Sequence, residues 1–410
     1  MILFYVILVI IIVDYVFERV LDYLNATRWS EELPEELSGI YDPEKYRTSQ
    51  RYLRIKQRLS LVVSTFSLIA LVIMLLFGGF AFLDNQVREV TTHPILMALL
   101  YFAILGLAAD LLSLPFSIYN TFVIEERFGF NRTTAGTFIM DKLKGLLLAV
   151  IIGGGLISLV IWIYLATGQW FWVIAWAVIT AFTVFMTMFY SNVIVPLFNK
   201  QSPLEEGELR DAIENFASEA EFKLKNIYVL DGSRRSSKAN AYFAGLGRKK
   251  RIVLFDTLIN DLKIEELVAV LAHEVGHYKQ KHTLKGMALS VVQTGLMLFI
   301  FSLFIDSPAL SAALGAEEPS FHIGLIAFGL LYSPLSFLLG IIMNTLSRKY
   351  EYEADRFAGE KNDPEALGEA LKKLSVKNLA NLRPHPAYVY FHYSHPPVLK
   401  RLEALDKLKS

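Results

Sequence analysis

The sequence predicts a mainly α-helical, polytopic membrane protein with seven transmembrane helices and a small cytosolic α/β domain built from two segments. Three observations predict it. Apolar residues make up 54% of the 410-residue chain and charged residues only 20%, against about 45–50% and 25% in ordinary globular proteins. Mean hydropathy is +0.40, where a soluble chain of this length would fold as two or three domains of ordinary polarity. Seven separate stretches each supply the ~20 mostly apolar residues that a bilayer core of about 30 Å requires.

In chain order, the first span covers 2–20. It lacks a basic leading segment and a small-residue cleavage site, so it reads as a retained anchor and not a signal peptide. Asp14 within it needs a partner or an interfacial position. Spans at 60–83, 94–116, 145–167 and 170–194 complete a membrane region over 1–196. Residues 197–284 read as a soluble insertion, with a helix at 208–221 and strands at 225–231, 240–245 and 251–256. Gly245-Leu-Gly247, before the basic run Arg248–Lys250, reads as a hairpin turn. That run, like Arg234-Arg235, suits solvent or anionic headgroups. Spans at 285–305 and 321–346 occupy 285–347, and 348–410 reads as helices punctuated by Pro364, Pro384, Pro386, Pro396 and Pro397. Asp110, Asn192, Gln293 and Asn344 are polar positions inside spans, suited to a wet interior or to helix–helix hydrogen bonds.

Loop charges set the expected orientation. Arg47, Arg51, Arg54, Lys56 and Arg58 precede the second span, and Arg127, Arg132, Lys142 and Lys144 lie between the third and fourth. Both soluble segments are also rich in Lys and Arg, whereas the intervening connections hold one arginine between them. The alternation places the N-terminus outside or in a lumen, and both soluble segments in the cytosol. The membrane would be the endoplasmic reticulum in a eukaryote and the inner or plasma membrane in a prokaryote. Forty basic residues balance forty acidic ones, so no global positive field exists to hold a nucleic acid. The chain has no cysteine, which excludes disulfides, thiolate metal sites and a cysteine nucleophile. A metal site must therefore draw on carboxylates and the eight histidines.

One pattern does so. The helical segment 264–282 contains His273-Glu274-Val275-Gly276-His277. Histidines at i and i+4 share a helix face, so both imidazoles reach one ion. Glu274 points to the neighbouring face, where it can take a proton from metal-bound water without being a ligand. Catalytic zinc needs a third protein ligand and an open fourth position. His282 is the nearest candidate, but the pattern that uses a third local histidine wants glycine and histidine where this chain has Gln280 and Thr283. The other source is Arg348-Lys-Tyr-Glu351-Tyr-Glu353-Ala-Asp355, just past the seventh span. Glu351 and Asp355 again share a face. Glu351 can complete a His-His-Glu site for one zinc per chain, with Asp355 fixing an imidazole tautomer. Glu353 is the competing carboxylate.

HEVGH followed by EYEAD resembles the gluzincin-type integral membrane peptidases. With FVIEERFGFNRTT (122–134), KANAYFAGLG (238–247) and HYSHPPVLKRLEAL (392–405), essentially the whole chain resembles the type I CAAX prenyl protease family. The resemblance implies a zinc endopeptidase that acts near the C-terminus of isoprenylated peptides and encloses a water-filled chamber. It also implies that His395 stabilises the oxyanion and that Asn240 lies at the active site, gripping substrate backbone. Arg401 could bind a substrate carboxylate or anchor its helix to Asp355. Expected partners are a peptide or protein substrate, possibly prenylated, and the bilayer. Two rival readings remain: a broad protease that clears misfolded membrane proteins, and a transporter or receptor with a structural zinc. A structural site has no use for Glu274.

Overall fold

The computed structural model describes residues 2–222, 227–244 and 251–408. The chain begins with α1 (Ile2–Ala26) and α2 (Pro43–Leu76). Asp42 caps α2 by accepting from the backbone N–H groups of Glu44 and Lys45 at 3.1 and 2.9 Å, with Pro43 at the first helical position. After α3 (Gly79–Val90) come α4 (Pro94–Tyr119), α5 (Ala135–Leu148), α6 (Gly155–Thr167), α7 (Phe171–Val193) and α8 (Val195–Phe198). Single π-helical turns, Asn120–Glu125 and Ala149–Gly154, follow α4 and join α5 to α6.

Six helical stretches among the described residues are long and apolar enough to cross a membrane: Pro43–Leu76, Pro94–Glu125, Ala135–Thr167, Phe171–Phe198, His282–Ser302 and Phe321–Lys361. The expected first span is not in that set, because α1 carries Asp14, Glu18, Arg19 and Asp22. Its first half is nonetheless free of charge, and Ile2, Tyr5, Val9, Val13 and Val16 are exposed along one side. The second span ends earlier than 83. Gly78 adopts φ +65°, a left-handed turn that costs glycine little, and residues 79–90 form a separate amphipathic helix. Hydropathy alone does not see that break, since Phe80 and Leu83 continue the apolar run.

The soluble insertion folds around a four-stranded sheet. Its strands are β1 (Gln201–Pro203), β2 (Ile227–Leu230), β3 (Ala241–Ala244) and β4 (Arg251–Phe255), in the order β1-β2-β4-β3. β2 and β4 run parallel, the other pairs antiparallel, and β3 forms one edge. The turn read at Gly245-Leu-Gly247 and the basic run Arg248–Lys250 lie outside the described residues. Helices α9 (Glu208–Glu219), α10 (Asp256–Asp261) and α11 (Ile264–Lys279) pack with the sheet, followed by α12 (His282–Ser302) and α13 (Pro308–Ala313). α14 (Phe321–Lys361) then runs unbroken out of the last span into the soluble region. α15 (Pro364–Lys377), α16 (Pro386–His392) and α17 (Val398–Asp406) complete the chain. One core holds Ile213, Ile252 and Leu271 from the insertion together with Leu367 and Leu405 from the C-terminal segment. The two segments thus bury a shared apolar surface.

Two of the polar groups expected inside spans have protein partners. Asp110 pairs with Lys142 at 2.6 Å, and Asn344 donates to the Phe391 carbonyl at 2.8 Å. Arg235 is held by Asp141 through two hydrogen bonds of 2.7 and 2.8 Å, which commits it to a protein carboxylate and not to headgroups.

Candidate active site

The site forms where α11 crosses α14. Helix α11 starts with Glu266 accepting from the Lys263 backbone N–H at 2.9 Å. Its apolar face, including Leu267, Leu271 and Val275, is buried in the soluble core. The crossing is close because residue 276 has no side chain. A Cβ built there would stand 3.1 Å from the Ala354 Cα and carbonyl oxygen and 3.2 Å from Phe357 Cβ. This contact brings the 351–355 turn of α14 against the HEVGH turn of α11.

His273 and His277 turn their Nε2 atoms toward each other at 3.1 Å. Glu351 reaches both, with Oε1 3.2 Å from His277 Nε2 and Oε2 3.5 Å from His273 Nε2. Nitrogen and oxygen ligands about 2.0–2.2 Å from a tetrahedral zinc stand roughly 3.3 Å apart. The three observed separations bracket that value. Glu351 Oε2 is moreover buried without a hydrogen-bond partner; its charged neighbour is Arg401 Nη1 at 3.3 Å, and its open lone pairs face the histidine side. Among the described residues this trio is the one group of histidines and carboxylates arranged to hold a metal ion.

Behind the trio lies a second layer. His273 Nδ1 is 2.8 Å from Asp355 Oδ1. Asp355 in turn accepts from Arg401 Nε at 2.8 Å and Nη2 at 2.6 Å. Arg401 is buried on α17 and also stands 3.3 Å from Glu351 Oε2. Of the two arrangements expected for Arg401, the contact with Asp355 is the one seen. Burial alone would depress the His273 imidazole, but hydrogen bonds to Asp355 and Glu351 outweigh it and push its pKa up to about 9. The surroundings of His273 are thus favourable to positive charge.

Glu274 is half-buried, next in sequence to His273 and pointing off the ligand face. His395 is the open side of the site. Its side chain is 64% exposed and its Nε2 lies 3.3 Å from Glu351 Oε1. The segment that delivers it is gripped by α14, because Arg348 donates to the carbonyls of Tyr393 at 2.6 Å and Val389 at 3.2 Å. Sequence reasoning did not single out Arg348, although it begins the acidic motif itself.

Asn240 is exposed at the head of edge strand β3. Its carbonyl accepts from Phe255 N–H at 3.1 Å, so it already belongs to the sheet. With Tyr190, Ser191, Tyr242 and Thr283 it lines a cavity of about 720 Å³ between α7, the sheet and the start of α12. The stretch leading to it is tied to the membrane helices. Glu125, in the π-helical turn after α4, pairs with Lys56 at 3.0 Å and Lys238 at 3.1 Å. The 122–134 stretch therefore works as a clamp between the two regions, a role visible only in three dimensions.

A helical membrane region joined to a soluble domain, with paired histidines and a glutamate from two crossing helices, defines a membrane-embedded metallopeptidase. Residues 22–200 match the family model for the CAAX prenyl protease N-terminal region with five membrane helices, and residues 203–409 match that for peptidase family M48. The chain belongs to peptidase family M48. It is 37% identical over 404 residues to the CAAX prenyl protease 1 homolog of Arabidopsis thaliana, covering 96% of this chain and 95% of that protein. It is 33% identical to the Homo sapiens CAAX prenyl protease 1 homolog, over 92% of this chain and 89% of that one. The crystal structure of S. mikatae Ste24p superposes with a TM-score of 0.94 at 32% identity, covering 98% of this chain and 99% of that one.

Proposed function

We propose that the chain is a zinc endopeptidase that cleaves near the C-terminus of prenylated CAAX-type substrates, with His273, His277 and Glu351 as the metal ligands. The observation that carries the reading is the buried Glu351 carboxylate set between two inward-facing Nε2 atoms at ligand spacing. Zinc held there would lower the pKa of a bound water toward ~7 and polarise the scissile carbonyl. Glu274 accepts the proton of the attacking water and passes it to the leaving amine. His395, on the open side, donates to the developing oxyanion. Asp355, fixed by Arg401, holds His273 in the tautomer that presents Nε2. The edge of β3, unpaired among the described residues, can pair with an extended peptide, with Asn240 gripping a peptide group where the strand begins.

The substrate class is supported by the names of the Arabidopsis thaliana, Homo sapiens and Saccharomyces cerevisiae relatives, each called CAAX prenyl protease 1 or its homolog and matched along 95%, 89% and 93% of its length. The loop charges orient both soluble segments and the metal site toward the cytosol. α1 is the seventh crossing, since its exposed apolar face is satisfied only by lipid. The test is zinc quantified by mass spectrometry on detergent-purified protein, beside cleavage of a farnesylated CAAX peptide and its unprenylated twin. About one zinc per chain with farnesyl-dependent, chelator-sensitive cleavage is expected. Equal cleavage of both peptides would replace the prenyl-specific reading with a broad membrane protease.

A further inference from the structure

His273 and His277 each have a second ring nitrogen facing away from Glu351. That of His273 meets a carboxylate directly. That of His277 does not: its Nδ1 lies 3.0 Å from Nδ1 of His282, and His282 Nε2 lies 2.9 Å from Glu353 Oε2. His282 is 4% exposed and stacks on Tyr350 with ring centroids 4.2 Å apart and planes 11° from parallel.

The protons in this chain have one consistent arrangement. A ligating Nε2 on His277 carries no proton, so its Nδ1 does, and that N–H donates to His282 Nδ1. His282 must then accept at Nδ1, which leaves its own proton on Nε2. That N–H donates to the Glu353 carboxylate, which in its ionised form only accepts. Each donor has an acceptor, and the series ends on a carboxylate that is one-third exposed.

The backbone is bent to make this meeting. On a straight helix, residue 282 would sit about 140° around the axis from residue 277. Lys281 instead takes φ +59°, a left-handed conformation uncommon for a residue with a Cβ. The bend starts α12 with His282 folded back beside His277. α14 serves both layers from adjacent stripes: Glu351 and Asp355 face the α11 histidines, while Tyr350 and Glu353 face His282.

We propose that His282 and Glu353 are positioning residues, an outer hydrogen-bonded chain that fixes the ring plane and tautomer of His277. The metal centre then has two independent supports, Arg401–Asp355 for His273 and Glu353–His282 for His277. The inference rests on the metal-centre reading above.

The test is zinc affinity of the full chain in detergent, measured by competition with a chelator, together with the melting temperature of each zinc-free protein. His282→Phe keeps the stack on Tyr350 and removes the acceptor; its zinc dissociation constant should rise about 10–100-fold. His282→Asn places an acceptor oxygen near the Nδ1 position and should recover most of that loss. Glu353→Ala should weaken zinc by a smaller factor and Glu353→Gln by less still. Combining His282→Phe with Glu353→Ala should cost no more than His282→Phe alone, since both cut one chain. Wild-type affinity in His282→Phe, or a double loss equal to the product of the single losses, overturns the proposal. If His282→Phe fails to fold, the Glu353 pair decides: Glu353→Ala binding zinc as tightly as wild type overturns it. Wild-type protein that takes up no zinc would fail differently, removing the metal-centre reading itself.

Discussion

Glu274 and Glu351 are the two glutamates in the HEVGH and EYEAD motifs to which the proposed mechanism gives different roles, and their surroundings differ. Glu351 is 4% exposed and touched by His273, His277, His395 and Arg401, so its charge is held in place. Glu274 is half-buried and lies one residue, about 100° around α11, from His273, the position the proposed general base requires. Glu274→Gln preserves shape and cannot act as a base. It should keep about one zinc per chain while lowering turnover by roughly 10²–10⁴-fold, the usual weight of general base catalysis. Retained turnover would remove Glu274 from that role. Glu353, the competing third ligand in the sequence, is turned instead to His282 at 2.9 Å. Spacing alone left the two glutamates close, because the path of α12 that occupies Glu353 depends on the left-handed Lys281.

At the scale of elements, the site is the crossing of α11 and α14, and Gly276 sets its depth. Glycine inside a helix costs about 1 kcal/mol relative to alanine, so propensity alone favours Gly276→Ala. The added Cβ, however, meets Ala354 backbone atoms at 3.1 Å. Overpacking of this kind costs about 1–3 kcal/mol, so the clash outweighs the propensity. Gly276→Val should push α14 outward and draw Glu351 away from the histidines. Zinc loss should then be larger than the drop in melting temperature suggests, and a Gly276→Val protein with wild-type zinc content would contradict the argument. The crossing was half legible: HEVGH and the 351/355 spacing each mark a helix face, but that the faces meet required the fold. Strands β2, β3 and β4 stood out by their apolar runs. β1 did not, since Gln201–Pro203 is short, polar and proline-ended. The end of the second span was misplaced for the same kind of reason, a glycine turn inside an apolar run.

Across the whole molecule, α14 is the longest connection. Its 41 residues extend about 60 Å at 1.5 Å per residue. Near one end His322 is buried against Asp84 at 2.6 Å; some thirty residues on, by the numbering, Glu351 joins the metal trio. The two ends must lie on opposite sides of a ~30 Å hydrocarbon core, which makes the orientation testable on one helix. The chain has no cysteine, so single cysteines report without background. Asn85, Glu317 and Glu360 are all exposed. In sealed vesicles with the cytosolic face outward, a membrane-impermeant maleimide should label Glu360→Cys at once. Asn85→Cys and Glu317→Cys should react only after detergent. The same reagent settles α1: Ile2→Cys should behave like Glu317→Cys, and Thr27→Cys like Glu360→Cys. Labelling of both ends of α1 from one face would take it out of the membrane and leave six crossings. Because the other six fix the C-terminal side independently, that result would move the N-terminus to the cytosol without moving the metal site. Labelling of Glu360→Cys only after detergent would instead reverse the whole molecule and put the peptidase chemistry outside the cytosol.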